Sequence, residues 1–538
     1  MIDWKTKNMP IGKTTLLLLL MTCLLSDRIN AQLYSKPPKF AVEVFNSIFN
    51  SMKDNRTEKP ILKLSNDPKE IAARIPKDQS GESVVIIGQG LIDIARSFGP
   101  DSSNALAHVL AHELAHVFKH QNDLKRVGSG YASDELKREI RELSDSISFN
   151  VFERQADEYA VFYCHISGYQ TVHLGAALLD SIYQKFQLTD RKLKKYPSLV
   201  ERKEIVRNSE MKMKALCMMY DDGILALANG NISCAKGLFR EILESQFTSS
   251  EIYNNYGLCF LLDVIKDLDT LSYPYSFPVQ FDFQTNLNMV VERGIDEDAR
   301  DKLIKAVDNF SKANESSEDY YIGHLNKAIA YFLLEEYVKM NEELEYSCKS
   351  DNPIIKESVQ NMRAIYYHKM GDSKSARDTF NNIDTSLLSS ERNKAIIEGE
   401  KRKIWRKTQT KQETAIESNV IQILDSLNKI SEGIQDVDFS SNDAMSQGRE
   451  TLKNLGEGLG VKLRMIEDKE VSARRWTVNG NVIGVYKRDV QNKISEFEWK
   501  YLKSNSKSFF ESTHAEILVF DNFVLKKSQG SLTLYKIR

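Results

Sequence analysis

Three things are scarce in this chain, and each scarcity removes a class of function. After its first thirty or so positions, none of its 538 residues fall in an apolar run of the ~20 needed to cross a bilayer. Positive charge has no surplus, since 73 Lys and Arg stand against 75 Asp and Glu for a net charge of −2. With the two signs well mixed, nothing is available to neutralise phosphates in bulk, and no nucleic-acid partner is expected. Cysteine is sparse, with six in all. Cys23 falls in the N-terminal apolar run, leaving Cys164, Cys217, Cys234, Cys259 and Cys348, an odd set at irregular spacing that makes no disulfide framework and no cysteine metal site. These read as small buried apolar residues.

A more local absence is informative. Between Ala105 and Leu124 there is no proline and no glycine, while alanine and leucine are abundant, so this stretch is expected to be helical. It contains His112-Glu113-Leu114-Ala115-His116, the H-E-x-x-H pattern of zinc hydrolases. Residues four apart stand on one helix face, so His112 and His116 can converge on one ion. Glu113 is then placed to take a proton from water activated there. His108 and His120 extend the same four-residue ladder, as histidines on the polar side of any amphipathic helix would, so the ladder alone does not single out a site. A catalytic zinc wants three protein ligands and an open fourth position. Downstream, Glu153 and Asp157 share a face of a second expected helix, Phe152-Glu153-Arg154-Gln155-Ala156-Asp157-Glu158-Tyr159-Ala160. Glu153 can complete a His2Glu set, and Asp157 can accept from the free ring nitrogen of a ligand histidine.

His-Glu-Leu-Ala-His followed by Glu-x-x-Ala-Asp resembles the M48 family of zinc metallopeptidases, with further likeness in Val84-Val85-Ile86-Ile87-Gly88-Gln89-Gly90-Leu91-Ile92 and in His120. The resemblance covers about Ile61 to Arg207 and implies a gluzincin-like core, one Zn2+ per chain and endopeptidase activity. It also implies an extended substrate lying beside an edge strand, for which Val84–Ile87 is the candidate. The chain departs from the family at Tyr196-Pro197-Ser198-Leu199-Val200-Glu201-Arg202, where tyrosine replaces the histidine of a His-Pro pair while Pro197 and Arg202 fit. A tyrosine hydroxyl can donate a hydrogen bond, so Tyr196 is the candidate oxyanion donor. Regulation by a histidine plugging the metal is put in doubt.

The rest of the chain sets the context. Lys5, Lys7 and Lys13 precede the apolar run Leu16–Leu25, and Ile29-Asn30-Ala31 offers small-residue cleavage, so residues 1–31 read as a signal peptide of a periplasmic or secreted protein, with membrane association left open. The membrane-embedded branches of the family are not matched, because Gln121–Asn150 is polar with helical spacing. A metallopeptidase domain is expected over 32–208. From 209 to 400, Gly230-Asn231 followed by Ala235 and Phe239, and Gly371-Asp372 followed by Ala376 and Phe380, give a G-[ND]-x-x-x-A-x-x-x-F pattern, that of a tetratricopeptide-like solenoid. An ordinary helical bundle is the other reading. The segments around Tyr253–Leu258 and Leu325–Tyr331 resemble first helices of degenerate units. Such an array offers a surface for extended peptides and protein partners. Leu271–Pro278, aromatic with Pro274 and Pro278, interrupts it as a loop that packs on the array or contacts a partner. A charged helical linker follows at 401–440. Residues 441–538 read as a small α+β module, with a hairpin at Trp476–Tyr486 turning at Asn479-Gly480 and strands at Ala515–Phe520 and Ser531–Lys536.

The expectation is therefore a mostly helical α+β multidomain protein: an exported zinc endopeptidase acting on proteins or peptides, misfolded envelope proteins among them. A latent or inactive peptidase serving as a binding or chaperone factor is the alternative. A scaffold with a purely structural histidine helix is a third reading.

Overall fold

A computed structural model describes residues 34–52, 59–67, 84–118, 153–188, 198–269, 271–281, 286–287, 297–382, 387–399, 421–431, 450–453, 461–467, 472–478, 481–490, 494–506, 508–511, 515–520, 523–528 and 531–537. The chain is mostly helical with an antiparallel sheet near its C-terminal end, and it forms two compact units that divide at Met211–Lys212. No described helix is long and apolar enough to cross a membrane.

In the first unit, strands β1 (Tyr34–Ser35), β2 (Ile61–Ser65) and β3 (Val84–Gly88) form a sheet in the order β1-β2-β3. β2 and β3 run parallel with Ile61 opposite Val84. Every residue of β3 is buried, as expected for an uninterrupted Val-Val-Ile-Ile run in a parallel pair. Helix α1 (Lys39–Met52) buries Ala41, Val44, Phe45, Ile48, Phe49 and Met52, the three- and four-residue spacing of a single apolar stripe. β3 leads directly into α2 (Gln89–Ser97), and a 3-10 turn at Gly99–Asp101 redirects the chain into α3 (Ser102–Phe118). On α3, Ala105, Leu106, Ala107, Val109, Leu110, Ala111, Leu114 and Ala115 are all buried, so the helix is enclosed on most sides. Small alanines permit that close approach. Helix α4 (153–166) and α5 (Gly175–Phe186) complete the surroundings of α3. The expected helix at Gln121–Asn150, His120 and the signal segment lie outside the described residues.

Helix α6 (Leu199–Ala228) begins in the first unit and ends in the second. There follow α7 (Ile232–Glu244), α8 (Ser250–Ile265), α9 (Glu297–Ser316), α10 (Tyr321–Leu333), α11 (Tyr337–Ser347), α12 (Pro353–Lys369), α13 (Ser373–Asn381) and α14 (Leu388–Ile397). The two glycine signatures do the same local work. Gly230 (φ +77°) and Gly371 (φ +83°) end α6 and α12 in the left-handed conformation. The next amide, of Asn231 or Asp372, closes back on the carbonyl of Ala226 or Tyr367 at 2.8 and 2.9 Å, a Schellman end. Asn231 and Asp372 then cap α7 and α13 through their side chains, and Ala235, Phe239, Ala376 and Phe380 are buried one and two turns later. Between α10 and α11 the same closure recurs, Glu336 N–H to Tyr331 C=O at 2.9 Å, but the left-handed residue is Glu335 (φ +62°).

β4 (Val279–Gln280) and β5 (Asn286–Leu287) pair within the long α8–α9 connection. Beyond helix α15 (421–431), strands β6 (Glu450–Lys453), β7 (Val461–Glu467), β8 (Ser472–Val478), β9 (Asn481–Asp489), β10 (Ser508–Glu511), β11 (Ala515–Val519), β12 (Val524–Ser528) and β13 (Ser531–Ile537) form one sheet, ordered β10-β11-β12-β13-β9-β8-β7-β6. β8 and β9 pair up to Val478 opposite Asn481, the register of the expected two-residue hairpin. The sheet is larger than the two hairpin strands and two single strands that the sequence suggested. Helix α16 (Glu496–Asn505), started by a Ser495–Glu498 capping box, packs Trp499 and Leu502 into a core with Leu427, Tyr486, Leu518, Phe523, Leu525 and Leu534. From the sheet, Arg474 and the indole of Trp476 both donate at 2.6 Å to Asp222 of α6, whose carboxylate is fully buried. Cys164, Cys217, Cys234 and Cys259 are buried and Cys348 partly buried, none of them in a disulfide among the described residues.

A left-handed non-glycine residue costs ~1 kcal/mol relative to glycine. Replacing Glu335 by Gly is expected to raise the unfolding free energy of the second unit by about that amount, read as a higher urea midpoint at unchanged m-value; a lowered midpoint would mean that the Glu335 side chain outweighs its backbone strain.

Candidate metal centre

The four-residue spacings place the expected groups as helix geometry requires. His112 and His116 stand one turn apart on α3, with Nε2 atoms 3.1 Å from each other. Glu153, at the start of α4, lies 3.4 Å from His112 Nε2 through Oε2 and 3.5 Å from His116 Nε2 through Oε1. The three donor atoms form the candidate metal group among the described residues, all within 4.8 Å of one another. Zinc–ligand bonds of ~2.0–2.1 Å in a tetrahedron separate the ligands by ~3.3–3.4 Å. The 3.1 Å separation of the two nitrogens and the 3.4 and 3.5 Å approaches, each to a different Glu153 oxygen, are of that size. The side chains are open to about the same degree, His112 14%, His116 18% and Glu153 16% exposed, so an ion can reach them.

Behind this face the structure becomes dry. Asp157, one turn after Glu153, is 2% exposed and meets His112 Nδ1 at 2.9 Å. With Nδ1–H donated to Asp157, Nε2 faces the site and offers a lone pair once its own proton is displaced. Arg202 of α6 donates to both Asp157 oxygens, at 2.5 Å from Nη1 and 3.0 Å from Nη2, and Nη2 also lies 3.1 Å from Glu153. One guanidinium thus balances two buried carboxylates. Its fork geometry suits the task in a way that a lysine ammonium would not.

The titration of the cluster follows from this arrangement. Burial pulls against the charged form of His112, but the hydrogen bonds to Asp157 and Glu153 overcome it and raise the imidazole to about 10. Burial likewise opposes ionisation of Glu153 and Asp157, yet His112 and Arg202 bring both carboxyls down to about 2. Glu113 goes the other way, because burial raises it to about 7 and Arg202 and His112 offset only part of that. A dication beside it would draw it down again. His108, one turn before His112, is driven by burial to about 4 and stays neutral; its Nδ1 has no hydrogen-bond partner among the described residues, and it stands apart from the three donors.

The structure therefore brings His112, His116, Glu153 and Asp157 together. Arg202 was visible in the sequence only as part of the Tyr-Pro…Arg segment, with no sign that it carries the ion pair. Tyr196 lies outside the described residues, so its position relative to the cluster is not part of this geometry. β3 is an edge of the three-stranded sheet, but Val84, Val85, Ile86 and Ile87 are only 0–3% exposed. A substrate strand would need that edge uncovered. Comparison with known protein families finds no match, and comparison with curated proteins finds none either.

Metal uptake should release protons with a definite sign. At pH 8–9, where Glu113 is already ionised, the free site holds a proton on His112 that a metal must displace, so apparent affinity rises about tenfold per pH unit and levels off near pH 10. Calorimetry of Zn2+ titrated into chelator-treated protein in two buffers of different ionisation enthalpy reads this as about one proton released; a buffer-independent enthalpy would contradict it. Without metal, the ionic cluster stabilises the first unit fully between about 4.5 and 6.5, the ordinary values of Glu and His. That contribution is lost as pH rises through 10 or falls through 2. Arg202→Met, which strands Asp157 and Glu153, is expected to destabilise this unit by ~3–5 kcal/mol. Asp157→Asn should weaken metal binding ~10–100-fold while the fold is retained, measured by competition with a chromogenic chelator.

Proposed function

We propose that this protein is a zinc-dependent endopeptidase of the M48 type, hydrolysing peptide bonds in protein substrates of the cell envelope. The observation that carries the reading is the convergence of His112, His116 and Glu153 donor atoms within 4.8 Å, with Asp157 and Arg202 behind them. These residues would hold one zinc ion, which when bound supplies Lewis acidity toward water and the scissile carbonyl. Everything else is done by the chain. Asp157 keeps His112 in the tautomer and rotamer that a ligand needs, and Arg202 keeps Asp157 ionised. Glu113 accepts the proton of the attacking water and returns it to the leaving amine, and a carboxyl that burial has lifted out of its usual range can do both near neutral pH. Tyr196 is the proposed hydrogen-bond donor to the carbonyl oxygen.

One observation favours a second reading, a latent or inactive peptidase that serves as a binding or chaperone factor: the edge strand proposed to pair with substrate is buried along its length. The two readings separate in one experiment. Wild type and Glu113→Gln should each retain about one zinc by mass spectrometry, and only wild type should cleave unfolded casein, with a loss in the variant of at least ~10²-fold. Zinc in both with cleavage in neither supports the latent reading, and no zinc in either removes the metal site.

A further inference from the structure

Four buried asparagines stand on the first helices of successive helix pairs: Asn254 on α8, Asn326 on α10, Asn361 on α12 and Asn393 on α14, each 0% exposed. Through them runs the chain's own segment Tyr273–Phe281, part of the α8–α9 connection. Asn326 accepts from the Gln280 main-chain N–H at 2.9 Å and donates to the Gln280 carbonyl at 2.6 Å. Asn393 does the same at Ser276, with both bonds 2.8 Å. Each clamp is braced by a neighbour, since Asn326 donates to Asn254 and Asn393 donates to Asn361, both at 2.8 Å. Asn254 also reaches the Gln280 carbonyl at 3.3 Å.

A side-chain amide that pairs with the N–H and C=O of one residue reads main chain, and any residue but proline satisfies it. The segment obeys that constraint: Pro278 falls between the clamped positions and Pro274 two residues before the first, and neither falls on one. Its apolar residues alternate at Tyr273, Tyr275, Phe277, Val279 and Phe281, all buried. They fill pockets, with Phe277 and Tyr273 against Phe332 and the Tyr275 hydroxyl 2.9 Å from His368 Nδ1. Main-chain capture with alternating side-chain pockets is how an extended peptide is recognised. An empty channel would strip Asn326 and Asn393 of their main-chain partners at ~1–3 kcal/mol each, so the array favours an occupant. The occupant present is an insertion whose entry, Leu271, is 92% exposed and belongs to neither helix it joins.

We propose that this channel is a binding site for extended protein segments, read through the main chain at two positions and through aromatic side chains at alternate ones, and that residues 273–281 fill it in cis as the stand-in for such a ligand. The site is independent of the metal centre and of the peptidase reading.

The probe is a fluorescein-labelled synthetic peptide of residues 271–281, titrated by anisotropy into the full chain. Tyr275→Ala with Phe277→Ala, which weakens the cis occupant, should bind it at least ~10-fold more tightly than the intact chain does. Adding Asn326→Ala and Asn393→Ala should abolish the binding. Equal binding by the intact and weakened chains, or binding unchanged by the asparagine substitutions, overturns the proposal. Hydrogen exchange of the intact chain gives a test that needs no variant. The Ser276 and Gln280 amides should exchange at least ~10-fold faster than those of Leu325–Ile329. Equal rates would show that the segment leaves only when the array unfolds, and the proposal falls.

Discussion

A carboxylate with 2% exposure has to be answered by charge or hydrogen bonds from every side, and Asp157 is answered from two. His112 of α3 meets one oxygen, and the Arg202 guanidinium of α6 meets both. Three helices far apart in sequence are thereby held in one relative position around a group that could not stay ionised alone. The ligand geometry depends on this. His112 is aimed by Asp157, Glu153 shares the guanidinium of Arg202, and the three-donor group is the outer surface of an ion-pair network whose inner part is dry.

The helical array of the second unit meets a similar requirement with asparagine side chains. Its first helices carry buried amides, of which Asn326 and Asn393 are satisfied by the backbone of an inserted segment. Buried polar groups demand partners in both units. In one the partners complete a face suited to a cation, and in the other they complete a channel suited to a chain.

How much of this could be read beforehand differs residue by residue. His112, His116, Glu153 and Asp157 were legible because two helical spacings suffice to put each pair on one face. The glycine turns at Gly230 and Gly371 were legible because left-handed backbone favours glycine. The third turn was hidden, since Glu335 adopts the same conformation with a residue that gives no signal. Arg202 showed as a motif member, but its bidentate pairing depends on where α6 passes α4, which no local pattern encodes. The asparagine clamps were hidden for the same reason: Asn254 and Asn326 lie in segments that read as first helices, and only tertiary packing lines them up with a segment that reads as a loop. Tyr196 and His120, which the resemblance singled out, fall outside the described residues.

Asp222 ties the end of α6 to β8 through Arg474 and Trp476 with no access to water. A chain ending near residue 400 would keep every helix of the array yet leave this carboxylate facing an uncovered apolar surface with neither donor. The array and the sheet are therefore poor candidates for separation into modules. A recombination or truncation boundary drawn by secondary-structure type would cut through a shared polar joint, and evolution of either part is coupled to the other through three side chains.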